Sequence, residues 1–150
     1  MQDIRFLPFP VNMEHPHQID ATIVWCFDPR MTEPLLYFVK VMKLRYYDLI
    51  SLAGGANDLA LPVMSSNRDA LVDQVRKSVN LHGTKRIVLM MHSDCGALGG
   101  LASYGNDLEK EREDIVRRLY TTATNLEKEL LDKTIAITPV FVDIDGFHFV

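Results

Sequence analysis

Short apolar runs alternate with longer amphipathic stretches along this chain, and that alternation constrains its fold more than any other feature. The runs 21–26, 47–52, 87–91 and 135–142 are rich in β-branched and aromatic residues and are bounded by polar or glycine positions, the pattern of strands. Between them, 33–44, 67–82 and 107–133 carry apolar residues at helical spacing, and Pro34 falls where a first helical turn tolerates it. Parallel neighbours need crossover connections, which helices supply, so strand and helix in turn predict an α/β fold. The expectation is a single domain with a mainly parallel four-stranded sheet and flanking helices. Pro139 lies in the last run and has no N–H for a ladder, which predicts an edge position for that strand.

The third helix has the clearest pattern. Leu108, Ile115, Leu119, Leu126 and Leu130 share one face. Glu113/Arg117, Asp114/Arg118 and Glu129/Lys133 are i,i+4 pairs on the other, the look of a solvated surface. Residues 1–20 differ: Pro8, Pro10 and Pro16 interrupt any regular pattern while Phe6, Leu7 and Phe9 are apolar, so this stretch reads as an extended arm preceding a domain at 21–150.

At 150 residues and 47% hydrophobic, the chain suits one domain with a substantial core. Its net charge of -4 gives no general pull toward nucleic acid or an anionic membrane surface. No apolar run reaches the length of a membrane span, and Met1 to Arg5 lacks a basic, then apolar, leader pattern. The expectations are a cytoplasmic protein with no nucleic-acid or membrane partner.

Cysteine occurs twice, as Cys26 in Cys26-Phe27-Asp28-Pro29-Arg30 and Cys95 in His92-Ser93-Asp94-Cys95-Gly96. Two thiolates and an imidazole suit zinc, and three protein ligands leave one coordination position for water or substrate. Cys26 closes the first strand and His92 follows the third, so in a parallel sheet both leave at the same edge, where open α/β sheets bind ligands. Adjacent strands lie about 4.8 Å apart. Donors on one zinc need lie only about 3–4 Å apart, so the site is feasible if the two strands are neighbours. Gly96 permits the turn or helix start that swings Cys95 back. Asp28 beside Arg30 stays ionised. It either takes a hydrogen bond or proton from zinc-bound water, or binds zinc itself and closes the open position. Gly54-Gly55 reads as a turn at the same edge, whose backbone N–H groups either contact substrate or brace the Asp28 loop.

Cys-x-Asp-x-Arg at a strand end, then Ala53-Gly54-Gly55, then His-x-x-Cys-Gly after a later strand, resembles the β-class carbonic anhydrases over Ala21 to Gly96. The resemblance implies zinc on Cys26, His92 and Cys95, with Asp28 and Arg30 as the catalytic dyad beside it; Gly54 and Gly55 stay candidates for substrate contact from their place at the same edge. It implies reversible hydration of carbon dioxide to bicarbonate through zinc-bound hydroxide, in a homodimer or higher homo-oligomer. Thiolate ligands donate more charge than imidazole and make the bound water less acidic, which the dyad must offset. The alternatives are a hydrolase of another small electrophile, carbon disulfide or carbonyl sulfide, on the same zinc, and a non-catalytic zinc protein. Pro29 stands where that family commonly has Ser, and Ser51-Leu52 where it has Arg-Asn.

Other features read more plainly. Ser93 and Asp94 are expected to cap the loop between ligands. Asp143-x-Asp145-Gly146 is expected to be a turn, since it lacks the later ligands of a calcium loop. His15, His17, His82 and His148 are assigned no part in the site.

Overall fold

A computed structural model describes Pro10, Glu14 and residues 18–150; most of the arm expected at 1–20 lies outside the described residues. Five strands, β1 (Ala21–Cys26), β2 (Tyr47–Leu52), β3 (Arg86–His92), β4 (Ala136–Asp143) and β5 (Gly146–Phe149), form one sheet in the order β2-β1-β3-β4-β5. The first four are parallel, and β5 returns antiparallel to β4. Three helices connect them: α1 (Thr32–Val41), α2 (Ser66–His82) and α3 (Leu108–Leu130). Short 3-10 segments fill the glycine-rich loops.

The central strands are buried on both faces because helices cover both. Alternation along β3 sorts its side chains: Ile87, Leu89 and Met91 join Val72, Val75, Ile115, Leu119 and Leu126 in a core formed with α2 and α3. Val88 and Met90 point the other way, to Ile23, Trp25, Leu35 and Phe38 beneath α1. Each fully buried aliphatic side chain stabilises the fold by about 1.5–3 kcal/mol relative to exposure. Trp25 also donates its indole N–H to the Met31 carbonyl at 3.0 Å, which ties the loop after β1 to the core.

Two expectations need correction. The sheet has a fifth strand, because the turn at Asp143 folds Phe147 and Phe149 back along β4: Asp143 Oδ1 accepts the amides of Asp145 and Gly146 at 2.9 and 3.2 Å. The strand carrying Pro139 is therefore internal, between β3 and β5. Pro139 is tolerated because its polar backbone side faces β5 beyond the last ladder pair, Val140 with Phe149, where the Val150 amide reaches only its carbonyl, at 3.2 Å.

The surface of α3 also differs. Leu108 is exposed, and the buried place one turn into the helix belongs to Glu111. Asp114 pairs with Arg118 as expected, at 2.7 Å, but it also takes Arg117, which was expected to pair with Glu113. Glu129 turns inward to the buried Arg68 and to Arg76, both at 2.7 Å, instead of along the helix to Lys133.

Candidate metal centre

β1 and β3 are direct neighbours, with Thr22, Ile23 and Val24 opposite Ile87, Val88 and Leu89. Running parallel, they deliver Cys26 and His92 to one edge, each as the last residue of its strand. Beyond His92 the Ser93 amide donates to the Val142 carbonyl at 2.9 Å, and Asp94 then takes a left-handed conformation, φ 53°. That reversal brings Cys95 back, and its carbonyl accepts the Leu98 and Gly100 amides at 2.9 Å each. The Cys26 sulfur, a His92 ring nitrogen and the Cys95 sulfur all lie within 4.8 Å of one another. All three residues are buried.

The donor set fits a metal on its own chemistry. His92 Nδ1 lies 2.8 Å from the Ser93 carbonyl. A carbonyl only accepts, so Nδ1 carries the proton and Nε2 presents its lone pair. Nε2 is buried with no hydrogen-bond partner, an arrangement that costs free energy unless something occupies that lone pair. A ligating histidine anchored through its other nitrogen to a carbonyl is the usual orientation in metal sites, and two cysteines with one histidine suit tetrahedral zinc.

Electrostatics favour a thiolate here. A hydrogen bond from the Cys95 thiol, opposed by burial and aided by His92 and by the Asp28 and Gly54 backbone N–H groups, holds Cys26 well below the usual thiol range. Cys95 is pushed up by the Cys26 thiolate and by burial, so Cys26 is the sulfur that loses its proton more readily. Burial works to lower His92, but the neighbouring Cys26 and the Ser93 carbonyl outweigh it and raise its pKa.

Asp28 and Arg30 form a tight pair just outside the donors. Asp28 Oδ1 accepts the Arg30 amide at 2.9 Å and Nε at 3.0 Å, and Oδ2 accepts Nη2 at 2.7 Å. Both oxygens are thus engaged by one residue. Arg30 reaches on to Asp94, through Nη1 to its carboxylate at 2.9 Å and through Nη2 to its carbonyl at 2.8 Å. The Arg30 hydrogen bonds, against a little desolvation, lower Asp28 to about 2, and Asp28 with Asp94 raises Arg30. Asp28 Oδ2 stands 4.0 Å from His92 Nε2.

The glycine pair packs behind these residues. The Gly54 N–H supports the Cys26 sulfur. Gly55 is buried with φ 59°, and a Cβ there would lie 2.2 Å from the Met90 carbonyl oxygen, so only glycine fits. Ser93 and Asp94 do organise the loop, Asp94 Oδ1 accepting the Leu101 amide at 2.9 Å. Their main partner is Glu111, which takes the Ser93 hydroxyl and the Asp94 amide. Glu111 was not singled out from sequence, although its place four residues before Ile115 and eight before Leu119 puts it on the buried face of α3. His82 and His148 lie elsewhere, at Asp48 and Asp143; His15 and His17 fall outside the described residues.

A family model described as "Putative carbonic anhydrase" matches residues 17–143. No curated protein matches the chain significantly in sequence. The fold is similar to β-carbonic anhydrase isoform I of Trichomonas vaginalis, with TM-score 0.61 and 18% identity over 95% of this chain and 87% of that one. It is also similar to a β-carbonic anhydrase of Aspergillus fumigatus, with TM-score 0.59 and 14% identity over 92% of each chain. An apo carbon disulfide hydrolase shares the fold at TM-score 0.54 and 15% identity, over 87% of this chain and 76% of that one.

Proposed function

This chain belongs to the carbonic anhydrase family, as a divergent β-type member, and from that premise we propose that it is a zinc lyase hydrating carbon dioxide reversibly to bicarbonate. The observation that carries this reading is the buried, unpartnered His92 Nε2 facing two cysteine sulfurs. Cys26, His92 and Cys95 would hold the ion. When bound, zinc lowers the pKa of a coordinated water and so supplies a nucleophile near neutral pH.

The protein's own groups then have defined tasks. Cys26 and Cys95 would serve the ion as thiolates, since a coordinating thiol is deprotonated, and Cys26, with its lowered pKa, is the readier of the two. The Ser93 carbonyl keeps His92 in the tautomer that offers Nε2. Asp28, ionised at neutral pH, accepts a hydrogen bond from the reacting water through Oδ2 and orients it. Arg30 occupies both Asp28 oxygens, which holds the carboxylate beside the donors and would keep it from serving as a ligand itself. The Gly54 and Gly55 backbone lines the same edge, with Gly54 steadying Cys26.

We assign the protein to a reducing cytoplasm, which both thiols need as ligands, and to a homodimer or higher homo-oligomer. Stopped-flow hydration of carbon dioxide by zinc-loaded protein at mildly alkaline pH tests the reading. Turnover above the uncatalysed rate supports it, and none overturns it. The fold shared with a carbon disulfide hydrolase favours one second reading, hydrolysis of carbon disulfide or carbonyl sulfide at the same site. A panel of the three substrates separates the two.

A further inference from the structure

Among the described residues, Glu111 is the only buried acid. It sits in the first turn of α3, where the helix dipole favours an anion, and no described Lys, Arg or His forms an ion pair with it. Its partners belong instead to the spacer between two of the metal donors. One carboxylate oxygen accepts the Ser93 hydroxyl, and the other accepts the Asp94 amide at 2.8 Å. Asp94 is left-handed, a conformation uncommon outside glycine though more open to Asp than to most residues, and the Glu111 carboxylate fixes its amide there. In that conformation it presents both its carboxylate and its carbonyl to Arg30, and Arg30 holds Asp28. An unbroken series of hydrogen bonds therefore runs from α3 through Asp94 and Arg30 to Asp28. A second, shorter path runs through Ser93, whose carbonyl fixes the His92 tautomer.

We propose that Glu111 is a positioning residue for the metal centre: its buried carboxylate sets the conformation of the Ser93–Asp94 spacer and thereby the placing of Arg30 and Asp28. This rests on the function proposed above. It adds that the dyad is not self-supporting but is braced from a helix that contributes no ligand.

Co2+ is the probe, because its charge-transfer and ligand-field bands report thiolate ligation and geometry apart from turnover. Glu111→Ala is expected to bind one Co2+ per chain with about 10–100-fold weaker affinity and altered ligand-field bands, the usual effect of losing an outer-shell partner. Glu111→Gln has an amide oxygen for the Asp94 N–H and an NH2 that can donate to Ser93, and it is expected to restore both readouts. In carbon dioxide hydration, Glu111→Ala should lower kcat more than it raises KM. It should cause little further loss in an Arg30→Ala background, since residues acting in one series are non-additive. Unchanged Co2+ affinity and bands, failure of Gln to rescue, or an equal fold-loss of kcat with and without Arg30 would each overturn the proposal. If Glu111→Ala does not fold, Ser93→Ala, which removes one bond and leaves the carboxylate, should move the bands the same way by less, and no movement overturns it. A wild-type protein that binds Co2+ but does not hydrate carbon dioxide defeats the proposed function alone, and the cobalt data then decide on Glu111.

Discussion

Gly55→Ala is the substitution whose cost can best be worked from the structure. Two penalties coincide at Gly55. Its φ of 59° is left-handed, and an added Cβ would lie 2.2 Å from the Met90 carbonyl oxygen and 3.4 Å from the Cys26 nitrogen. The first costs about 1–2 kcal/mol. The second costs about 1–3 kcal/mol as overpacking, with little relief, because the obstructing atoms are backbone of the two strands that carry the donors. Together they come to about 2–5 kcal/mol, a large share of the roughly 5–15 kcal/mol that stabilises a typical domain. Two other glycines separate the terms. Gly105 has φ 70° and open space, so Gly105→Ala should lose only the conformational part, about 1–2 kcal/mol. Gly96 has neither penalty, and Gly96→Ala should stay within about 0.5 kcal/mol of the parent. Urea unfolding of the three variants, with unchanged m-values, gives the comparison. A Gly55→Ala loss no larger than that of Gly105→Ala would refute the close approach of this turn to β3.

Four further outcomes follow from the same reasoning. Cys26→Ser, His92→Ala and Cys95→Ser should each lose most bound zinc by elemental analysis, whereas Asp28→Ala and Arg30→Ala should keep it and lose most, not all, of the activity; equal zinc loss in all five would make Asp28 a ligand. Asp28 has a folded pKa of about 2, below its ordinary 3.8, so its contribution to stability is present above pH 4 or so and is lost as pH falls toward 2. A carboxyl-carbon NMR titration of metal-free protein should show this value rising toward the ordinary one in Arg30→Ala, and no change would contradict the pairing. Glu129→Gln, which leaves the buried Arg68 with only the exposed Asp69, at 3.5 Å, as a charge partner, should destabilise by up to about 3 kcal/mol, against about 1 kcal/mol or less for the half-exposed Arg76→Ala, both read by urea unfolding. Adding zinc to the metal-free protein at about 100 times its Kd should stabilise it by about 2.7 kcal/mol, measured as a rise in melting temperature that a chelator reverses.

Much of this fold is written locally. β1 and β2 are legible from side-chain type alone, and β3 and β4 differ from expectation by one residue at each end, the ordinary fraying of a boundary. The meeting of Cys26, His92 and Cys95 was legible because one motif closes a predicted strand and the other begins at the end of one, and a parallel sheet leaves them one edge to share. β5 was not, because four residues after a turn bury little on their own, and their pairing depends on β4 already being in place. Pro139 misled for a related reason: a missing N–H excludes pairing on one side only, and sequence does not say where the neighbour on that side ends. Glu111 and Glu129 escaped because a carboxylate on a charged helix looks like any other until its partner, 17 or 61 residues away in sequence, is brought beside it.

The central claim is that Cys26, His92 and Cys95 hold zinc with the fourth position open. A crystal structure at the zinc absorption edge, from protein at mildly alkaline pH, tests it most directly. The expected result is one ion per chain on both sulfurs and His92 Nε2, with water as the fourth ligand and Asp28 still bound by Arg30. An Asp28 oxygen on the ion at that pH, or an ion lacking either sulfur, would contradict the account.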